Sequence, residues 1–442
     1  MGPRVDPVTS SADLPARTSV VVIGGGIIGI CTAFFLARKG VPVVLCEKGH
    51  IAGEQSSRNW GWCRKMGRDP REIPLAIEAL RLWPEMNAMT EAETGFRRCG
   101  IVYLCKTPDE MAKREAWLKE AQPYQLDSRK LSRDQAAEVL PGLTGEWQGA
   151  LHTPSDGRAE PQKAAPAIAA AAQRLGAIVA QQCAVRGIET RSGRVVGVVT
   201  EKGRVDCDSV VLAGGVWSRL FCGNLDLRLP QLKVMSSVMR TEPMEAGIET
   251  SCSGFGFGLR KRLDGGYTVA SWSGNVVDIV PDTFRFFAEF LPSLRLQWRN
   301  MRLRVGSKFL QEWQVPRRWV LDGPSPFEQV RTLDPLPYEP ILQQARQYVT
   351  AAFPAFRDLR VAQSWGGVID VTPDAVPVIS AVDTLPGFFI ATGFTGHGFG
   401  IGPGAGRLMA DIVVGDPPVV DPTPFRFSRF TDGSRPKPSP LA

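Results

Sequence analysis

Apolar positions along the chain follow two periods, and each change of period marks an element. Ser19 to Ile23 is a continuous apolar, β-branched run, the pattern of a strand buried on both faces, and it meets Gly24-Gly25-Gly26 abruptly. Ile27 to Arg38 is apolar all round at helix length, Lys39-Gly40 supplies a stop signal, and Val41 to Leu45 predicts a second buried strand. The predicted unit is strand, tight turn, helix, strand. Pro161 to Leu175 predicts an Ala-rich helix ended by Gly176, followed by a strand at Ala177 to Val179 and a strand pair around Val195 to Val199 turning at Ser192-Gly193. Val210 to Ala213 and Phe388 to Ala391 read as further apolar strands bounded by glycines, and a helix is expected over Ala405 to Val414. Lys233 to about Trp319 contains alternating segments such as Tyr267 to Trp272, which predict an antiparallel sheet. Within it, Thr283 to Arg318 interleaves Phe284, Phe286, Phe287, Leu294, Leu296 and Trp298 with Arg285, Arg295, Arg299, Arg302 and Arg304. Pro292 is expected to break that helix, and the stretch reads either as a half-buried helix or as a face that docks on a membrane.

The fold class expected is α/β: a Rossmann-like cofactor domain assembled from discontinuous segments, beside a substrate domain built on a mixed or antiparallel β-sheet (α+β). The cofactor domain is assigned 18–90, 150–230 and 330–424, and the substrate domain 91–149 and 231–329. Residues 1–17 are expected to be flexible, and the polar, Pro-rich 425–442 a disordered tail. A chain of 442 residues, 43% of them hydrophobic, has room for both domains. No apolar run reaches eighteen residues, and Met1 to Arg17 has no apolar leader, so neither a spanning helix nor export is expected and the location expected is cytoplasmic. A net charge of +7 is small for this length and points to anionic ligands and a solvated surface rather than nucleic acid. Nine scattered cysteines with no CxxC pair read as reduced thiols, and no metal site is expected.

Gly24-x-Gly26-x-x-Gly29 lies between the first strand and its helix, and Glu47 closes the second strand. Gly24 permits the sharp turn, Gly26 lets backbone approach a pyrophosphate, and Gly29 lets helix and strand pack closely; Ile27 and Ile28 open the helix whose positive end favours the phosphates. Glu47, followed by Lys48, can accept from a ribose diol and would repel a 2′-phosphate, which selects FAD or NAD over NADP. A second glycine-dense stretch, Ala391 to Gly404, decides for FAD, because a flavin ring needs donors from a second helix start and a nicotinamide cofactor does not.

These residues resemble the D-amino acid oxidase superfamily of FAD enzymes, which includes glycine and sarcosine oxidases, over nearly the whole chain. The carriers are the Gly24 turn with Glu47, the loop Gly393-Phe394-Thr395-Gly396-His397-Gly398, and Trp365-Gly366-Gly367 with Thr372-Pro373-Asp374. Glu47 to Arg58, Gly214 to Phe221 and Ser325 to Gln329 are more narrowly similar to bacterial L-amino acid deaminases. That resemblance implies oxidation of L-amino acids to 2-oxo acids and ammonia through an imino acid, by hydride transfer from Cα to the flavin N5. The deaminases carry an N-terminal anchor helix and pass electrons to the respiratory chain; no such helix is read in Met1 to Arg17, so oxygen is the acceptor expected, giving hydrogen peroxide. Trp60-Gly61-Trp62 stands where the deaminases have a Tyr-Gly-Gln pattern, and no cysteine stands in Val368 to Thr372, so FAD is expected to be non-covalent.

The resemblance also nominates site residues. Arg260 falls where the carboxylate-binding arginine is expected, a guanidinium suiting that planar anion; the alternative is a surface cation beside Lys261 and Arg262. Trp365, Phe394 and Trp62 would wall an apolar pocket, or simply pack in the core. His397 would touch the flavin edge or hydrogen-bond its own loop, and is not assigned as a base. Gln55, Ser56, Ser57, Arg58 and Gly61 are placed near the flavin phosphate and ribityl groups, with helix capping as the alternative for Ser56 to Arg58. Ala184 and Val185 are placed at the adenine, Ala213, Gly214 and Trp217 beside the dinucleotide, and Gly393, Thr395, Gly396, Gly398, Phe399 and Gly400 at the flavin. Other readings in the same class are a D-amino acid or secondary-amine (sarcosine- or proline-like) oxidase, or a dehydrogenase passing electrons to a quinone. A non-catalytic flavoprotein and an NAD-dependent dehydrogenase stand outside it. The partners expected are an amino acid and oxygen or a respiratory quinone, with membrane association and a homodimer left open.

Overall fold

The computed structural model describes residues 1–271, 275–298, 301–434 and 436–439. Trp272 and Arg299 therefore lie outside the described residues. The architecture is α/β with two principal sheets among those residues. In the first, Val20–Ile23 is flanked in parallel by Val43–Cys46 and Ser209–Leu212, with Ile178–Ala180 beyond one and Phe388–Thr392 beyond the other. Val378–Ala381 closes the edge antiparallel. All four residues of Val20–Ile23 are buried, as are all but the last of the helix Ile27–Arg38, because that helix packs on the sheet and is itself covered by Gly398–Val414 and Pro161–Arg174. Coverage on every side is why neither element shows a polar face.

The second sheet has ten strands and is mainly antiparallel. At its centre Leu232–Thr241 pairs with Tyr267–Ala270 on one side and with the eleven-residue Val361–Val371 on the other. Gly149–Thr153, which straddles the boundary expected at 149/150, and Val361–Val371, which falls in the expected stretch 330–424, both belong to this sheet. Val361–Val371 pairs with a strand more than a hundred positions earlier, and such a pairing leaves no local signal in the sequence. Val361–Val371 is the physical link between the two halves: it leaves the large sheet and delivers the chain toward the second glycine-dense loop.

Three further expectations are corrected. Residues 1–17 are strapped to the surface, with Asp6 N–H donating to Gln162 O at 3.0 Å and Ser11 N–H to Val179 O at 2.8 Å, while Val5 and Val8 pack on the core. Residues 425–430 are folded as short 3₁₀ turns; Phe425 and Phe427 are buried and Arg429 pairs with Asp374 at 3.1 Å, so two aromatic anchors and one buried ion pair order a polar segment. Pro292 sits inside the helix Phe287–Gln297, and the interruption falls instead at Phe286, between it and Pro281–Arg285. Phe284, Phe287, Trp298, Leu303, Leu310 and Trp313 in this region are each more than half exposed. No described helix is long and apolar enough to cross a membrane.

Candidate active site

At Gly24 and Gly29 the glycine turn is held by backbone contacts that admit nothing larger. Gly24 has φ +112°, and a Cβ there would lie 2.4 Å from Ala213 O; a Cβ on Gly29 would lie 2.0 Å from Gly24 O. At Gly26 a Cβ would meet only Ser56 Oγ, at 3.2 Å, so its backbone borders open space. Ser56 Oγ accepts from Ile27 N–H at 2.8 Å and caps the helix start. Glu47 accepts from Gly25 N–H and Gly49 N–H, both at 2.6 Å; burial raises its carboxyl above the ordinary range, opposed by those two bonds.

One continuous cleft carries Gly24, Gly26, Ile27, Ile28, Glu47, Lys48, Gln55, Ser56, Arg58, Val185, Ala213, Gly214 and Trp217 on its walls, and also Phe394, Thr395, Gly396, His397, Gly398, Phe399 and Gly400. Trp62 lines it too, joined by Trp60, Arg64, Arg68, Ser236, Val238 and Asn275. The two glycine bends, more than 360 residues apart in sequence, thus face one space. An approachable backbone at Gly26, a buried acid at Glu47 and a second helix start at Gly398 fit a bound dinucleotide flavin.

Other nominated residues stand behind the walls. Gly29 and Gly61 serve the backbone: Gly61 has φ +75°, and a Cβ there would lie 2.4 Å from Ala159 O. Ser57 donates to Glu54 O, and Ala184 N–H is taken by Glu201 at 2.6 Å. Gly393 N–H donates to Asp370 Oδ2 at 2.7 Å, and Trp365 Nε1 to Arg58 O at 3.0 Å. Arg58 reaches Asp334 at 2.7 Å and Gly366 O at 2.9 Å, and Lys48 lies over the Trp217 ring at 4.4 Å while bonding Glu54 at 2.8 Å. Gln55 donates to Asp370 Oδ1 at 2.8 Å.

Arg260 does not line the cleft. It is 1% exposed, and its guanidinium bonds Glu160 at 2.8 and 3.3 Å, Ala159 O at 3.1 Å and Thr268 Oγ1 at 3.1 Å. Glu160, Asp370, Arg64, Arg68 and Glu72 were not nominated by sequence reading. The one signal for the arginines was their four-residue spacing just after Trp60-Gly61-Trp62; nothing in the sequence reports that such cations are buried.

His397 Nδ1 lies 3.5 Å from Glu72 Oε2. Burial first, then Arg68 and Arg64, push the imidazole well below its ordinary pKa, so His397 is neutral at pH 7 and this contact is not an ion pair. Burial raises Glu72 to about 7 against the pull of Arg68. The aromatic wall is formed by Trp60 and Trp62, edge to face at 5.2 Å, with Tyr103 6.1 Å beyond Trp62. The chamber is therefore apolar on one wall and cationic on another.

Comparison with known proteins agrees with this arrangement. The family described as DAO, FAD dependent oxidoreductase, matches residues 19–412. An L-amino acid deaminase from Proteus myxofaciens, solved in complex with anthranilate, superposes with TM-score 0.93 at 34% identity, covering 97% of each chain. The L-amino acid deaminase from Proteus vulgaris gives TM-score 0.91 at 33% identity over 96% of this chain and all of that one. Among curated relatives, a 4-methylaminobutanoate oxidase (formaldehyde-forming) of Paenarthrobacter nicotinovorans is 25% identical over 96% of this chain, which spans only 47% of that protein. A glycine oxidase of Pseudomonas aeruginosa is 25% identical over 92% of this chain and 97% of its own length. With a glycine turn, a second glycine loop facing it and a family match over nearly the whole length, the chain belongs to the DAO family of FAD-dependent oxidoreductases.

Proposed function

We propose that the chain oxidises the Cα–N bond of an L-amino acid, giving an imino acid that water hydrolyses to a 2-oxo acid and ammonia, with oxygen as acceptor and hydrogen peroxide as co-product. The observation that carries this reading is the single cleft joining the dinucleotide turn to an aromatic and cationic chamber. The L-configuration is supported by the likeness to the two Proteus proteins, whose names state L-amino acid deamination. Oxygen as acceptor is supported by the glycine oxidase relative.

FAD, when bound, supplies the two-electron acceptor for the hydrogen on Cα. The chain's own contribution is positioning, dehydration and charge. Trp60, Trp62 and Phe394 border the chamber and exclude water from an apolar side chain. Its cations attract a carboxylate and disfavour a protonated ammonium beside them, which promotes the neutral amine that can be oxidised. Neutral His397 adds no further positive charge. The test is a panel of L- and D-amino acids given to the purified yellow protein, scored for peroxide and for 2-oxo acid. Equal rates on both enantiomers, or turnover of secondary amines alone, would refute the assignment.

A second reading of the acceptor, a quinone dissolved in a bilayer, is favoured by the exposed apolar side chains of Phe284, Trp298 and Trp313 among Arg285, Arg295 and Arg302. Formation of 2-oxo acid without peroxide, accelerated by quinone-loaded anionic vesicles, would select it over oxygen.

A further inference from the structure

A substrate carboxylate needs a cation, and Arg260 is already matched to Glu160 inside the protein. Two other guanidiniums, four residues apart, do line the cleft. Arg64, 6% exposed, donates Nη1 to Met66 O and lies over the Tyr103 ring at 5.6 Å. Arg68, 2% exposed, gives Nε to Arg64 O at 3.5 Å, while its Nη1 has no partner. Among the described residues no carboxylate lies within ion-pair distance of Arg68. Two of the acids nearby are engaged elsewhere. Asp69 pairs with Arg71 at 2.8 Å, and Asp156 accepts from the backbone N–H groups of Lys65 and Met66 at 2.8 and 3.2 Å. Glu72 faces His397. Burial and the neighbouring Arg64 push the Arg68 guanidinium down to about 9, which leaves it charged at neutral pH.

A buried cation with an unused donor is costly unless an anion meets it. Here the unused donor belongs to a residue on the cleft wall, a few residues from the aromatic pair that would contact a side chain. We propose that Arg64 and Arg68 together grip the α-carboxylate of the substrate, and that Arg260 is a structural ion that supports the bend at Gly61. This rests on the amino-acid reading above and adds to it which residues confer selectivity for a free carboxylate. A guanidinium fork matches a carboxylate in plane, so the pair fixes orientation as well as charge, and the aromatic wall then sets where Cα points.

The test uses the holoenzyme and benzoate, an aromatic carboxylate with no oxidisable carbon, read by the shift it causes in flavin absorbance. On the unaltered protein benzoate binds at least tenfold tighter than benzamide; equal affinities overturn the proposal. Arg68→Met and Arg64→Met each weaken benzoate about 10- to 100-fold, the worth of one charge-assisted hydrogen-bonding group, and Arg68→Lys restores part of the loss. Should Arg68→Met fail to fold as a flavoprotein, Arg64→Met and Arg68→Lys carry the test. Benzoate affinity within threefold of the unaltered protein in both Met variants overturns the proposal, as does its loss in the Arg260→Met/Glu160→Leu pair alone. A holoenzyme that turns over no amino acid yet loses benzoate on Arg68→Met sinks the proposed reaction and leaves this grip standing. One that turns over L-amino acids with KM unmoved in both Met variants sinks the grip and leaves the reaction.

Discussion

The ion pair between Arg260 and Glu160 makes a quantitative prediction. Both partners are buried, at 1% and 5% exposure. Burial would raise the Glu160 carboxyl, but Arg260, by its charge and hydrogen bonds, holds it below the usual carboxylate range. Arg260→Met removes that cation and leaves the carboxylate with the Leu263 N–H, at 2.9 Å, as its other hydrogen bond. Orphaning one member of a buried pair costs about 3–5 kcal/mol. An unfolding entropy of about 2.1 cal/mol/K per residue, taken over the 442 residues, converts that into a fall in melting temperature of about 3–5 °C. Glu160→Leu/Arg260→Met, which leaves no lone charge, should recover most of it, and the recovery measures the penalty of the orphan rather than the worth of the pair.

The assay is thermal unfolding followed by circular dichroism at saturating FAD, so that ligand linkage is equal across variants. KM for the best L-amino acid, measured on the same preparations, should move less than about threefold in the double variant, below the ~0.6 kcal/mol scale of a single weak contact. A melting temperature within 1 °C of the unaltered protein together with a tenfold rise in KM would refute the reasoning, because Arg260 would then be spending its charge on substrate and not on Glu160.

Two further outcomes are expected. Burial lifts Glu72 to about 7 from an ordinary 4.5, so the unfolded chain ionises first and stability falls as pH rises from about 4.5 to about 7, by about 3 kcal/mol from this group; Glu72→Gln should flatten that part of the urea-midpoint profile, leaving the parallel contribution of Asp156, which burial raises to about 6. Asp370→Asn puts an amide where Gly393 N–H and two side-chain amides donate, and the flavin dissociation constant should rise about tenfold or more with the Gly24 turn unchanged, as read by equilibrium dialysis of the cofactor.

What could be read in the sequence was local. Val20–Ile23, Ile27–Arg38 and Val43–Cys46 are each buried on all sides, so their apolar runs had no competing face, and the glycines between them carry a spacing with one steric meaning. The second glycine loop was legible for the same reason, although its helix begins at Gly398 rather than Ala405, because a glycine-rich first turn hides the helical period. Pairings between distant residues were not legible. Arg260 and Glu160 are a hundred positions apart, and an arginine flanked by Lys261 and Arg262 carries no mark of being enclosed. Arg64 and Arg68 sit in a stretch rich in charge that any composition argument assigns to the surface, and only the fold shows it turned inward.

Asp370 explains how a site made of such distant parts can hold one geometry. It is the last but one residue of the long strand that pairs with Leu232–Thr241, and it is 2% exposed. Its Oδ1 accepts from Gln55, in the segment after the second parallel strand; its Oδ2 accepts from Gln231 at 3.0 Å, just before the large sheet begins, and from Gly393 N–H at 2.7 Å, in the second glycine loop. These bonds are to neutral donors, so the carboxylate is satisfied without a neighbouring cation that would compete for an anionic cofactor. A buried carboxylate tolerates few alternative arrangements, since each unmade bond costs more than the made one contributes. The loop at Gly393 is thereby tied to the segment at Gln55 that caps the first helix through Ser56, and both to the sheet that roofs the chamber. The two glycine bends face each other because Val20–Ile23 and Phe388–Thr392 run parallel in one sheet, on either side of Ser209–Leu212, and end at the same edge; Asp370 then ties the second bend to the segment that caps the first helix.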